Sequence, residues 1–241
     1  MAYPPIFAAV KACDVEALRR EIAAGGDPDM LHGGGAGLTP LYYAACSDSG
    51  PPGKQIRERL ECISVLLEAG ASVDKLVRGG TPLHRCAGHK SAAYQAVIAM
   101  LLEAGADPNF TDTDWRQSVL ATAAEHGTAG AVRMIISAGA VDLDRALDLA
   151  ITSGKIRNCA QLIRAGAALP AVITVPQAYR PRRSFPQTRA YIENIRAAGS
   201  YKAYEKAHRQ RLVAIFLPKF PTLPVEMVGR VLEFTWDIGG H

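Results

Sequence analysis

One nine-residue phrase returns along this chain and constrains its fold more than any other feature. It reads LLEAGASVD at 66–74, LLEAGADPN at 101–109, IISAGAVDL at 135–143 and LIRAGAALP at 162–170, with a weaker copy, EIAAGGDPD, at 21–29. The glycines at its centre, Gly25, Gly70, Gly105, Gly139 and Gly166, are 45, 35, 34 and 27 residues apart. A period of this size marks a solenoid, in which each unit is one small motif that buries its apolar face only against its neighbours.

A second phrase precedes each copy of the first. It reads TPLYYAACSD at 39–48, TPLHRCAGHK at 81–90, SVLATAAEHG at 118–127 and, in degenerate form, RALDLAITSG at 145–154. The first unit has IFAAVKACD at 6–14, without Thr-Pro. Thr81 is a natural helix cap and Pro82 fits the first turn, where its missing N–H is not needed. Leu83 and the small residues after it allow a neighbouring helix to approach closely. Val97, Ile98, Met100, Leu101 and Leu102 follow on a helical spacing. Gly105 suits a left-handed helix end, and Asp107, Pro108 and Asn109 begin a turn.

These phrases resemble the ankyrin pattern T-P-L-H-x-A-A-x-x-G followed by a second helix and A-G-A-D. The match is close over 81–109, good over 118–140, and altered over 4–29, 39–74 and 145–167. The expected fold is all-α, an ankyrin-repeat solenoid of about five helix-turn-helix repeats with a small C-terminal helical extension. The expected division is a repeat domain at 1–169, a Pro-rich linker or strap at 170–186, and a C-terminal helical segment at 187–241. Deviations fall between the phrases. CSDSGPPGKQIRER at 46–59 reads as a loop inserted in the second repeat, and HGGGAG at 32–37 loosens the first hairpin. The 27-residue interval leaves little room for a hairpin between repeats four and five.

The resemblance implies a surface that holds a protein partner. Hairpins and inner helices form its concave face, and the side chains expected to project there are Tyr42, Tyr43, Arg78, Arg85, His89, Phe110, Trp115, Arg116, Glu125 and His126. Trp, Tyr and Arg are enriched at binding hot spots, and Trp115 and Phe110 are aromatics that the core pattern does not require. Asn109 stands in a spacing similar to hairpin sites modified by asparaginyl hydroxylases; a plain turn asparagine explains it equally.

Beyond Leu169 the repeat stops. QTRAYIENIRAAG at 187–199 and SYKAYEKAHRQRLVAIFL at 200–217 read as two helices, the first closed by Gly199 and the second capped by Ser200. FPTLPVEMVGRVLEF at 220–234 is similar to the opening of an F-box, through Leu223, Pro224, Glu226, Met227, Val231 and Leu232. It also resembles the C-terminal box of poxvirus-type ankyrin proteins. Both resemblances imply recruitment of a Skp-type linker of a cullin ubiquitin ligase, and hence a substrate adaptor. A plain ankyrin scaffold whose C-terminal helices only cap the stack is the alternative, since terminal repeats need a polar cover.

Charge gives a third reading. The net charge is +4, and Arg180, Arg182, Arg183, Arg189, Arg196, Lys202, Lys206, Arg209 and Arg211 crowd one stretch. A nucleic-acid or anionic-membrane contact and a solvated helix face both fit such a block. Nothing points to catalysis, a cofactor or a metal: no phosphate-binding loop, nucleophile elbow or H-E-x-x-H occurs. Paired carboxylates such as Asp112 and Asp114 fall on a hairpin, and His84 belongs to the structural T-P-L-H. Five cysteines without C-x-x-C spacing suit a reducing compartment. With neither a signal sequence nor a membrane span, the expected setting is intracellular, cytoplasmic or nuclear.

Overall fold

A computed structural model describes residues 3–32, 37–46, 56–173 and 184–219, with Met227 alone beyond them. Helices come in pairs. α1 (Pro5–Ala12) and α2 (Val15–Ala23) form the first repeat, α3 (Pro40–Cys46) and α4 (Ile56–Glu68) the second, α5 (Pro82–Ala87) and α6 (Ala93–Glu103) the third. α7 (Val119–Glu125) with α8 (Ala129–Ser137) and α9 (Leu143–Thr152) with α10 (Ile156–Arg164) complete five repeats. Odd-numbered helices stack on one another as an inner row and even-numbered helices as an outer row. This is the all-α ankyrin-repeat solenoid that the two phrases imply.

The phrases act through their helix ends. The hydroxyls of Thr39, Thr81, Ser118 and Thr128 accept the N–H of the residue three positions on, at 3.1–3.2 Å, and so fix where α3, α5, α7 and α8 begin. Each A-G-A copy closes an outer helix. Gly70, Gly105, Gly139 and Gly166 take φ of 82°, 90°, 97° and 103°. The next residue, Ala71, Ala106, Ala140 or Ala167, donates back to the carbonyl of Leu66, Leu101, Ile135 or Leu162. That left-handed termination turns the chain toward the next hairpin. Between the rows lies one continuous apolar core, including Leu18, Leu41, Ile63, Leu66, Leu83, Ile98, Leu101, Leu120, Ile135 and Leu147. Small residues let the rows approach: a Cβ on Gly127 would come 2.2 Å from the Ala87 carbonyl oxygen of the preceding repeat.

Asp and Asn four or five residues after a closing glycine bind successive repeats together. Asp29 accepts the N–H of Ser72 at 2.9 Å, Asp74 that of Asp107 at 3.0 Å, Asn109 that of Val141 at 3.0 Å and Asp144 that of Ala168 at 2.7 Å. Each acceptor belongs to one repeat, and each donor stands two residues after the closing glycine of the next.

One detail differs from the sequence expectation. Residues 56–59 are the first turn of α4 and not loop, because Arg59 is held there: its Nη2 donates to the Ala45 carbonyl at 2.9 Å and its guanidinium lies 4.7 Å from the Tyr94 ring centre. Residues 47–55 of the insertion lie outside the described residues. The C-terminal helices are more than an appendage. α11 (Phe185–Ala197) packs on α9, and α12 (Tyr201–Phe216) follows it after the expected Ser200 cap. Ile192 and Ile195 are fully buried, and Arg164 of α10 pairs with Glu205 of α12 at 2.7 Å. The pair thus takes the next place in the stack.

Candidate functional site

The hairpin between repeats three and four is a stiff finger. Thr111 and Ser118 form an antiparallel bridge, and Asp112 N–H donates to the Gln117 carbonyl at 3.0 Å. The Asp112 carboxylate is buried and accepts the Trp115 N–H at 2.5 Å, while Arg116 turns the chain with φ 50°. The outcome is an indole at the tip that is 80 % exposed on a backbone closed by these hydrogen bonds. The preceding finger is tighter. Val77 and Gly80 exchange both backbone hydrogen bonds across Arg78 and Gly79, whose φ are 49° and 77°. Thr113 N–H donates to the Gly79 carbonyl at 3.1 Å and joins the two fingers edge to edge.

Exposed apolar side chains recur along this edge, one on each of four successive connections: Leu31, Leu76, Trp115 and Val141. Sequence reasoning singled out Trp115 alone. Leu31 and Leu76 carry a readable signal, since each stands six residues after a closing glycine, outside the helical spacing that fills the core.

The inner-helix face behind the fingers is a hydrogen-bonded network. His84 Nε2 lies 2.9 Å from the Thr122 hydroxyl, which donates to Gln117 Oε1 at 3.3 Å. Gln117 Nε2 donates to Glu125 Oε2 at 3.0 Å, and the other Glu125 oxygen is 3.6 Å from His126 Nε2. Burial holds the His84 imidazole below its usual pKa, against the opposing pull of Asp112, so the ring is neutral at pH 7. The His84 and Phe110 rings meet edge to face, with centres 6.0 Å apart.

The ten expected side chains therefore separate. Arg78, Trp115 and Arg116 stand exposed on the fingers, with Phe110 half-buried at the base of the second. Arg85 is exposed on α5, and Tyr43 is half-buried against Phe7. Tyr42 and Glu125 do not project: Tyr42 lies in the core row with its phenol pushed up by burial, and Glu125 is buried beneath Gln117. His89 lies at the opposite edge, stacked on Tyr94 with ring centres 3.7 Å apart, and His126 is half-buried beside Glu125. Of the F-box-like residues, Leu223, Pro224, Glu226, Val231 and Leu232 lie outside the described residues, and Met227 is exposed. Both amide ends of Asn109 are engaged in the repeat-to-repeat contact.

Titratable groups elsewhere are in structural positions. Cys86 and Cys159 are buried, and burial pushes both thiols up, so they pack as small apolar groups. Among the described residues no group of three His, Cys, Asp or Glu is placed to hold a metal. No described helix is long and apolar enough to cross a membrane.

No curated protein matches the chain. Residues 6–112, from α1 to the second finger, match the family described as Ankyrin repeats (3 copies). The same stacking, glycine termini and Asp/Asn contacts continue through α10. The fold is an ankyrin-repeat solenoid, and ankyrin repeats are non-catalytic modules for binding protein partners.

Proposed function

We propose that the chain holds a partner protein along its hairpin edge, with Trp115 as the anchor and Arg78, Arg85, Phe110 and Arg116 around it. The carrying observation is the exposed indole on a finger fixed by Asp112. A rigid aromatic loses little conformational freedom on binding, and that is what a hot spot needs. Leu31, Leu76 and Val141 extend the apolar row on either side. Tyr43, half-buried behind the fingers, lies in reach of a partner that enters the concave face; Tyr42, His89, Glu125 and His126 support the frame. Trp115→Ala should abolish recovery of the specific partner while leaving the thermal melt unchanged. Recovery equal to wild type overturns the reading.

The finer reading is a substrate adaptor for a cullin-type ubiquitin ligase. It rests on Leu223, Pro224, Glu226, Met227, Val231 and Leu232, which would recruit a Skp-type linker from the segment after α12. Residues 1–169 would hold the target, 170–186 would join the two parts, and 187–241 would both close the stack and recruit. The cysteines form no disulfide, which suits the cytoplasm or nucleus. A linker pull-down comparing wild type with Leu223→Ala/Pro224→Ala tests this: loss in the variant supports it, and equal recovery or none from either removes it. The plain scaffold reading gains from one observation, the burial of Ile192 and Ile195 on α11 against repeat five. A protein that loses its cap on deletion of 185–219 but never binds the linker is such a scaffold.

A further inference from the structure

The edge opposite the hairpins carries a second surface. Inner helices end there and outer helices begin there, so the starts of α6, α8 and α10 lie side by side. They border a groove of about 1070 Å³ that crosses repeats three, four and five and reaches the rings of Tyr191 and Tyr204. Five cations line it, Lys90, Arg133, Lys155, Arg157 and Arg164, and among the described residues no carboxylate does. Over the whole chain the balance is 27 basic to 23 acidic residues, so this segregation is local.

Lys155 and Arg164 also serve the fold. Lys155 Nζ donates to the carbonyls of His126 and Gly127, each at 3.4 Å, and Arg164 pairs with Glu205. Lys90 and Arg133 are exposed on repeats three and four, and Arg157 on repeat five. The start of α10 adds positive potential, because Lys155 at its cap position offers no side-chain acceptor to the first N–H groups. Asn158 does not fill that role: its amide nitrogen donates to the Ala124 carbonyl at 2.9 Å.

We propose that this groove binds an extended acidic segment of a partner protein. Stacked helices lie about 10 Å apart. An extended chain advances about 3.3 Å per residue. A carboxylate at every third residue therefore meets one cationic repeat after another. The groove favours a polypeptide over a nucleic acid, because single-stranded bases bind through open aromatic platforms. The rings that line it are not open: Tyr191 and Tyr204 pack edge to face, 5.5 Å apart at 87°. The contact lies on the edge away from Trp115 and stands or falls separately from the hairpin-edge reading.

Fluorescence anisotropy on the full chain at low salt tests it, with a labelled peptide of about ten residues bearing glutamate at every third position. A glutamine counterpart and a single-stranded RNA hexamer serve as rivals. The glutamate peptide should bind and the glutamine peptide should not. Lys90→Glu/Arg133→Glu should weaken binding at least about tenfold, Arg133→Gln should weaken it less, and Trp115→Ala should leave it unchanged. No binding of the glutamate peptide, equal binding of the two peptides, or undiminished affinity in the charge-reversed variant overturns the proposal. So does tighter, equally Lys90- and Arg133-dependent binding of the RNA.

Discussion

Asn109 Oδ1 accepts the N–H of Val141 at 3.0 Å while its Nδ2 donates to the Gly139 carbonyl at 3.1 Å, so one amide closes two backbone groups of the next repeat. Asp74 holds the equivalent place one repeat earlier, accepting the Asp107 N–H through Oδ2, but its Oδ1 is buried without a hydrogen-bond partner. A carboxylate there lacks the proton that an amide would donate to the Gly105 carbonyl.

Asp74→Asn should therefore stabilise the fold, by about 1 kcal/mol, and Asn109→Asp should destabilise it by a similar amount. Urea unfolding followed by helical circular dichroism measures both. Burial and the nearby Asp107 raise the Asp74 pKa in the folded state above 3.8. The folded state thus binds this proton more tightly, and stability falls as pH rises from 3.8 to the raised value. The advantage of Asp74→Asn should be largest at neutral pH and shrink as the solution is acidified through that window.

His84 shows the opposite sign. Its folded pKa is held below 6.5, chiefly by burial, with Arg85 assisting and Asp112 opposing. The unfolded chain then binds more protons, so this contribution is complete above pH 6.5 and is lost as pH falls through the lowered value. The wild type should lose more stability between neutral and mildly acid pH than His84→Gln does. Parallel losses in the two proteins would remove His84 from the account.

Close backbone approach predicts a contrast between two glycines. Gly127 has no room for a Cβ, because the Ala87 carbonyl oxygen is 2.2 Å from where it would sit. Gly139 has open space and a φ of 97°. Gly127→Ala should cost about 3 kcal/mol through forced separation of repeats three and four. Gly139→Ala should cost only about 1 kcal/mol of backbone strain. Thermal melts of the two variants rank them directly.

The stack should depend on α11. Ile192 and Ile195 are fully buried against repeat five, and Ser184, just before α11, approaches Gly154 so closely that a Cβ there would meet its hydroxyl oxygen at 1.9 Å. Ile192→Ala should lower stability by about 3 kcal/mol, and Gly154→Ala should loosen the same junction. A melt unchanged by Ile192→Ala would mean that α11 does not close the stack.

Much of this was written in the sequence, because T-P-L and A-G-A specify helix starts and ends through local chemistry. Thr81 and Ser200 cap the helices that their positions imply, and Gly105 ends α6 as expected; Thr39 and Ser118 cap at the places equivalent to Thr81, and Thr128 adds a cap outside both phrases. That C-terminal helices could cap the stack was the alternative reading, but the contact itself was not legible, since α11 carries neither phrase and its place depends on Ile192 and Ile195 finding α9. Tyr42 and Glu125 read as projecting because polar ends usually face water, yet Gln117 supplies Glu125 with a partner inside the face and Tyr42 sinks into the inner row. Val141 reads as part of the A-G-A phrase and hence as core, whereas Leu31 and Leu76, outside the helical spacing, were legible as exposed.

Site-specific photo-crosslinking tests the hairpin edge most directly. A photoreactive phenylalanine at position 115 should yield a discrete protein adduct in the cell of origin, whereas the same group at exposed Glu68, on the outer row, should not. Adducts of the same identity and yield from both positions, or from Glu68 alone, would contradict a partner held at the tip of the Asp112-fixed finger.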